Sequence, residues 1–249
     1  MGIGRETEEA AELLRTIGRR LAAVQERIHA ACARSGRDPS EVRLMGVSKF
    51  HDRALADAAW EAGLRLFGES RVQEAQAKFA GWRQERPGME LHMIGSLQRN
   101  KVKAAAALFD CVQSADRDEL ITALGVHCGQ MSGGGRTGPL SILLELNSGE
   151  ASKGGFADED SLFRGAELAL SFPGLRVRGL MTMAPFTGNQ QAIRGAFRSL
   201  RKAQAALQAR FPGGDWSVLS MGMTGDFEIA IEEGATLVRI GTALFGERT

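Results

Sequence analysis

The chain has 249 residues, of which 43% are hydrophobic and 24% charged, with a formal net charge of +1 at pH 7. This balance is typical of a globular protein with a large core, and it argues against a dedicated nucleic-acid surface. No apolar run reaches the roughly 18 residues of a membrane span, so we expect no membrane partner.

The first predicted element is an amphipathic helix at residues 8–34. The apolar residues of its inner face recur every three or four positions: Leu14, Ile17, Leu21, Val24 and Ile28. Because this helix precedes the first strand, we expect it to pack as a cap on the outside of the fold.

Strand-like and helical segments then alternate to the end of the chain. The predicted strands are residues 42–49, 64–68, 90–95, 109–115, 140–147, 175–183, 216–220 and 236–245. The predicted helices are residues 53–62, 70–84, 99–108, 116–128, 158–170, 189–210 and 224–233. Such alternation indicates a parallel sheet. Eight units in about 250 residues favour an α/β fold closed into a (β/α)8 TIM barrel, a single domain over residues 1–249. An open sheet is the alternative, against which no GxGxxG motif follows the first strand.

Lys49 stands at the end of the first predicted strand, where a TIM barrel places its active site. A lysine leaving a buried strand is a candidate for Schiff-base chemistry, because desolvation favours the neutral amine that attacks a carbonyl. On position alone, a strand-end lysine whose ammonium reaches water is the commoner case.

Small polar residues follow the last two strands. Residues 220–224 run into a predicted helix, and Gly241 and Thr242 form the matching turn after strand eight. TIM barrels often bind phosphate at this position, and Arg239 adds a charged donor. Helix capping alone would also explain these residues. A phosphate site facing a strand-one lysine suggests pyridoxal phosphate held as an imine.

Seven segments resemble the YggS/PROSC group of pyridoxal phosphate homeostasis proteins. They are VSK at 47–49, FGESRVQE at 67–74, LHMIGSLQRNK at 91–101, SADR at 114–117, LNSGEASKGGF at 146–156, GLMTM at 179–183 and LSMGMTGDFEIAIEEGATLVRIGTALFG at 219–246. The resemblance implies a barrel related to that of alanine racemase, with pyridoxal 5'-phosphate as cofactor and Lys49 as the Schiff-base lysine. It also implies that the phosphate is bound through Ser220, Gly222, Arg239, Gly241 and Thr242.

Two further residues, Ser70 and Met221, complete the predicted cofactor-binding set. Ser70 stands where the group usually has Asn in its FGEN motif, and serine can donate and accept hydrogen bonds through a shorter side chain. Met221 belongs to a group of methionines at strand ends that either line an apolar pocket or fill the core. Residues 132–136 are an apparent insert in an outer loop, and Lys153 is a possible second cofactor lysine.

The resemblance leaves a carrier and an enzyme to be distinguished. Racemases of the related barrel use a tyrosine opposite the lysine and complete their sites with a second domain and a dimer partner. This chain has no tyrosine, and three residues follow Gly246. We therefore expect an open rim and a binding protein without catalytic residues that delivers cofactor to apo-enzymes. A racemase or decarboxylase is the alternative, and a barrel enzyme using a sugar-phosphate imine is a third class.

The remaining expectations concern the setting and the other polar residues. Three widely spaced cysteines and an acidic first segment predict a cytoplasmic protein without a signal peptide. No metal-ligand spacing occurs, so we expect no metal, and we expect a monomer. His92 is predicted to be a hydrogen-bonded core residue rather than a base. Glu69 could orient Lys49, although a charged loop residue is the commoner case.

Overall fold

The computed structural model describes residues 2–130, 138–149 and 154–247, and it omits the side chains of residues 2–7 and 83. The strands within these ranges are β1 Arg43–Val47, β2 Leu66–Glu69, β3 Glu90–Met93, β4 Cys111–Ala115, β5 Leu140–Glu145, β6 Leu175–Met181, β7 Val218–Ser220 and β8 Leu237–Ile240. The helices are α1 Gly2–Ser35, α2 Arg53–Glu61, α3 Val72–Phe79, α4 Trp82–Glu85, α5 Val102–Leu108, α6 Asp118–Gln130, α7 Glu159–Leu170, α8 Gln190–Arg210, α9 Phe227–Glu232 and α10 Thr242–Phe245. The apparent insert at 132–136 and Lys153 lie outside the described residues.

The eight described strands are parallel and close into a barrel in the order of the sequence, with β1 hydrogen-bonded to both β2 and β8. The predicted TIM barrel is therefore confirmed. Successive strand side chains alternate between the two faces of the sheet. One face packs against the helices in the main core, while two small clusters around Met45 and Leu143 fill the lumen.

The long helix α1 packs on α2, α9 and α10, as expected of an outer cap. Four of its five predicted contact residues are buried: Ile17, Leu21, Val24 and Ile28. The prediction for Leu14 is wrong, because its side chain is 38% exposed and Leu13 packs against the core instead. Ion pairs from Arg27 to Glu228 and from Arg34 to Glu232 fasten the cap to α9.

The predicted helix at 70–84 is broken into α3 and α4. Gly81 adopts a left-handed conformation with φ 77° at the break. The rings of Phe67, Phe79 and Trp82 pack together there, with centroids 4.8–5.8 Å apart. Burial of Trp82 therefore outweighs continuation of the helix. None of the helices in the described ranges is both long enough and apolar enough to cross a bilayer.

Gly179 occupies a position of β6 that no other residue fits. Its φ is 142°, and a Cβ atom there would lie 2.0 Å from the carbonyl oxygen of Val218 on β7. The register between β5 and β6 also shifts near this point. Gly179→Ala should lower the free energy of unfolding by about 2–4 kcal/mol, measured by urea denaturation.

Gly195→Ala is the matched control. Gly195 lies on the exposed face of α8 with open space around its Cα. Alanine should stabilise the protein there by about 0.5–1 kcal/mol, because it forms helix more readily than glycine. Equal effects of the two substitutions would contradict the assigned geometry of β6.

Candidate functional site

A cavity of about 330 Å³ opens at the carboxyl ends of the strands. Residues at or just after the ends of β1, β3, β6, β7 and β8 line it. The predicted location of the site is therefore the location of this cavity. Its wall has a polar part, which includes Lys49, Asp226, Arg239, Gly241 and Thr242, and an apolar part, which includes Met181, Met183 and Met223.

Lys49 reaches the cavity from a tight turn that follows β1. The N–H of His51 donates to the carbonyl oxygen of Ser48 over 3.1 Å, which closes the turn with Lys49 at its second position. Phe50, at the third position, has φ 65°. A left-handed third residue is typical of a type II turn, where glycine is the usual residue. Phenylalanine there is strained, so the surroundings of the turn must hold it.

Arg239 lies at the bottom of the cavity, 4% exposed. Its guanidinium donates to the carbonyl oxygen and the hydroxyl of Ser220, both over 2.7 Å, and to the carbonyl oxygen of Thr182 over 2.9 Å. Burial lowers the pKa of Arg239 to about 10, although the carboxylates of Glu145 and Asp226 act in the opposite direction. Because its hydrogen-bond acceptors are neutral oxygens, the buried cation favours an anionic ligand.

Two turns of small residues complete the polar wall. Gly222 has φ 92°, and a Cβ atom there would lie 2.6 Å from the Cβ of Ala230, so the chain passes close to α9. The hydroxyl of Thr224 accepts a 3.5 Å hydrogen bond from the N–H of Ala243, which ties the turn after β7 to the turn after β8. Thr224 and Gly225 of the first turn and Gly241 and Thr242 of the second line the cavity. Turns of small residues of this kind bind anions in other proteins through their peptide N–H groups.

The eight residues predicted to bind the cofactor are not all in the cavity wall. Lys49, Arg239, Gly241 and Thr242 line it, whereas Ser220 and Gly222 lie behind Arg239 and hold it through hydrogen bonds to its side chain and its N–H.

The side chain of Met221 is buried in the core between the strands and the helices. Ser70 does not line the cavity and instead packs against Gly95, so its role toward a ligand stays a prediction.

A buried polar column supports Arg239 from inside the barrel. The hydroxyl of Ser220 donates to the side-chain oxygen of Gln113 over 2.6 Å, and the amide nitrogen of Gln113 lies 2.9 Å from Nδ1 of His92. Nε2 of His92 is 3.5 Å from Glu90. That interaction and the Arg43 guanidinium lower the pKa of Glu90 to about 2 against the effect of burial.

The predicted core role of His92 is confirmed by these contacts. Sequence reasoning missed Gln113 and Glu145, although a signal was present. Both are polar residues within otherwise apolar strand segments, at positions that alternate toward the lumen with Cys111 and Leu143. Within the described residues, no group of three or more His, Cys, Asp and Glu side chains is placed to hold a metal ion.

Gln113→Leu tests the column. The substitution leaves the hydroxyl of Ser220 and Nδ1 of His92 without their buried partner, so the free energy of unfolding should fall by about 1–3 kcal/mol in urea denaturation. Gln208→Leu, on the exposed face of α8, is the control and should change it by less than about 0.5 kcal/mol. A Gln113 variant as stable as this control would show that the column does not support Arg239.

Comparison with known proteins identifies the family. Residues 20–249 match the family described as alanine racemase, N-terminal domain. A pyridoxal phosphate homeostasis protein of Pseudomonas aeruginosa is 43% identical over 236 residues, which are 94% of this chain and 96% of that protein. A protein of the same name from Aquifex aeolicus is 40% identical over 232 residues, 92% of this chain and 97% of the relative.

A solved structure shows the same likeness. PipY of Synechococcus elongatus PCC7942 with PLP bound is 33% identical, with a TM-score of 0.78 over 92% of this chain and 100% of that one. The names of the curated relatives describe a homeostasis protein and not a catalytic activity. The chain therefore belongs to the pyridoxal phosphate homeostasis protein family, whose barrel is that of the alanine racemase N-terminal domain.

Proposed function

We propose that this protein binds pyridoxal 5'-phosphate in the cavity, holds it as a Schiff base on Lys49 and hands it to apo-enzymes that require it. The observation that carries the proposal is that a lysine, a buried arginine and two turns of small residues line one cavity. The relative PipY, solved with PLP bound, supports the identity of the ligand.

The residues present fit this ligand. The cavity of about 330 Å³ lies within the ~300–1,000 Å³ range of small-molecule sites. The two turns offer N–H groups for a phosphate, and Gly222 lets the chain pass where a side chain would collide with α9. Arg239 supplies a cation whose hydrogen-bond acceptors are neutral, so an anionic ligand would improve its surroundings.

Each part of the chain has a distinct task in this proposal. When bound, the cofactor supplies an aldehyde, which condenses with a primary amine and releases water. Lys49 supplies the amine. The turns after β7 and β8 orient the phosphate through Gly241, Thr242 and their peptide groups. Arg239 places a positive charge at the bottom of the cavity, which attracts the anionic cofactor. The methionines form a polarizable wall that shields one side from water.

The mouth of the cavity favours a carrier over a racemase. Phe186 and Thr242 line the cavity and are exposed at the surface, and Met223 is 39% exposed. Water therefore reaches the site. Water assists hydrolysis and release of a Schiff base, whereas the proton abstraction of a racemase benefits from a pocket that excludes water. A racemase of the related barrel also needs a tyrosine, and this chain contains none.

We further propose that the protein acts as a single-domain monomer in the cytoplasm. Its three cysteines are free thiols, as is common in a reducing compartment. The cavity lies within one barrel, so the proposed delivery needs no second copy of the chain.

Lys49→Ala tests the attachment. The wild-type protein should turn yellow on addition of pyridoxal phosphate, and borohydride reduction followed by peptide mass mapping should place the adduct on Lys49. The variant should show neither the colour nor the adduct. Lys202→Ala, on the exposed face of α8, is the control and should behave like the wild type. An adduct spread over surface lysines in the wild type would contradict the proposal.

A second experiment separates a carrier from an enzyme. The loaded protein should activate an apo-enzyme that depends on pyridoxal phosphate, while D- and L-amino acids should show no interconversion. When the Lys49→Ala protein is used instead, activation of the apo-enzyme should fall to the level that the same concentration of cofactor gives without any carrier protein. Racemisation that disappears in Lys49→Ala would instead favour the enzyme.

A further inference from the structure

A buried cluster of charges lies directly beneath the turn that carries Lys49. Glu69, the last residue of β2, has no exposed surface, and the side chain of Lys78 on α3 is 5% exposed. Oε1 of Glu69 accepts hydrogen bonds from the Lys78 ammonium over 2.8 Å and from the hydroxyl of Ser48 over 2.7 Å. The pair is therefore bonded to the residue that precedes Lys49.

The same cluster also holds the other side of Lys49. The Lys78 ammonium donates to the carbonyl oxygen of Ser48 over 2.7 Å and lies 3.3 Å from Oε1 of Glu74. Glu74 in turn accepts the N–H of Phe50, the strained residue that follows Lys49. Both neighbours of Lys49 are thus hydrogen-bonded to charged side chains of β2 and α3, none of which lines the cavity.

We propose that Glu69, Glu74 and Lys78 are positioning residues that hold the strained turn so that the Lys49 amine faces the cofactor cavity. This inference rests on the proposed function for its purpose. The clamp, by which we mean the hydrogen bonds that join Glu69, Glu74 and Lys78 to Ser48 and Phe50, is a property of the protein without cofactor. Reactive groups must be held within a fraction of an ångström for efficient attack, and a rigid support supplies that constraint.

The energetics of the cluster agree with this role. Taking two charges out of water is unfavourable, and a buried ion pair often stabilises a fold no better than apolar residues of similar size. Burial raises the pKa of Glu69 despite the hydrogen bonds from Lys78 and Ser48, and its Oε2 has no partner among the described residues. A gain in the stability of the fold therefore does not account for this buried ion pair, whereas the need to hold the turn at Lys49 does.

Glu74→Leu and Glu74→Gln form the central comparison, because both remove the charge and only glutamine keeps a carbonyl acceptor for the N–H of Phe50. The rate constant for yellow colour formation with pyridoxal phosphate should fall about 10-fold or more in Glu74→Leu. Glu74→Gln should restore most of the rate. Equal loading rates in wild type, Glu74→Leu and Lys78→Met would overturn the proposal.

A second readout needs no cofactor. Amine-reactive labelling of the apo protein, mapped by mass spectrometry, gives the reactivity of Lys49 relative to Lys202 in the same sample as a function of pH. The pH profile of Lys49 reactivity should differ from that of the wild type in Glu74→Leu, and it should match the wild type in Glu74→Gln. If the wild type never loads cofactor, the proposed function fails, yet this profile still decides whether the clamp positions Lys49.

Two variants exclude a purely structural explanation. Glu233→Gln breaks another buried carboxylate's pairs, with Arg194 and Arg198 on α8, and should leave loading and labelling unchanged. If Lys78→Met does not fold, Glu69→Gln combined with Lys78→Met removes both charges of the buried pair, and the Glu74 carboxylate that remains is partly exposed to water. This double variant should fold and load slowly, and loading at the wild-type rate would contradict the clamp.

Discussion

The register between β1 and β8 is the constraint on which the cavity depends. Closure of the barrel pairs Met45 with Arg239, and the turn that follows β1 carries Lys49. Two cations that are far apart in sequence are thus brought to one cavity by the backbone pairing of β1 with β8. A slip of one residue would exchange the lumen and helix-facing sides of a strand. The packing of Met45, Val47, Leu66 and Leu237 in the lumen resists such a slip.

Each cation has its own polar support, and the two supports lie in different parts of the barrel. Arg239 rests on Ser220 and Gln113 within the lumen, while the turn at Lys49 rests on Glu69 and Lys78 outside it. Both supports are buried and linked by hydrogen bonds of their side chains, which restricts their motion. The side of the cavity toward solvent is lined instead by exposed or half-exposed residues. The site therefore combines a fixed interior with an accessible mouth, as the proposed delivery of a ligand requires.

Much of the fold could be predicted because its signals are local. Alternating strand and helix patterns gave the barrel, and Lys49 and Arg239 follow from the rule that barrel sites lie at strand ends. Contacts between segments that are distant in sequence could not be predicted from local patterns. The edge-to-face packing of Phe67 and Phe79 against Trp82 ends α3 early, and no periodicity within residues 70–84 predicts it. The burial of Lys78 against Ser48 could not be predicted, because it depends on how α3 packs on β2 and on the turn after β1.

The most direct test of the account is a crystal structure of the protein grown with pyridoxal phosphate. We predict continuous density from Nζ of Lys49 to the cofactor, with the phosphate between the turns at residues 222–225 and 241–242 and with Arg239 still bonded to Ser220. Attachment to another lysine, or a phosphate bound away from these turns, would contradict the central claim that β1 and β8 together build the cofactor site.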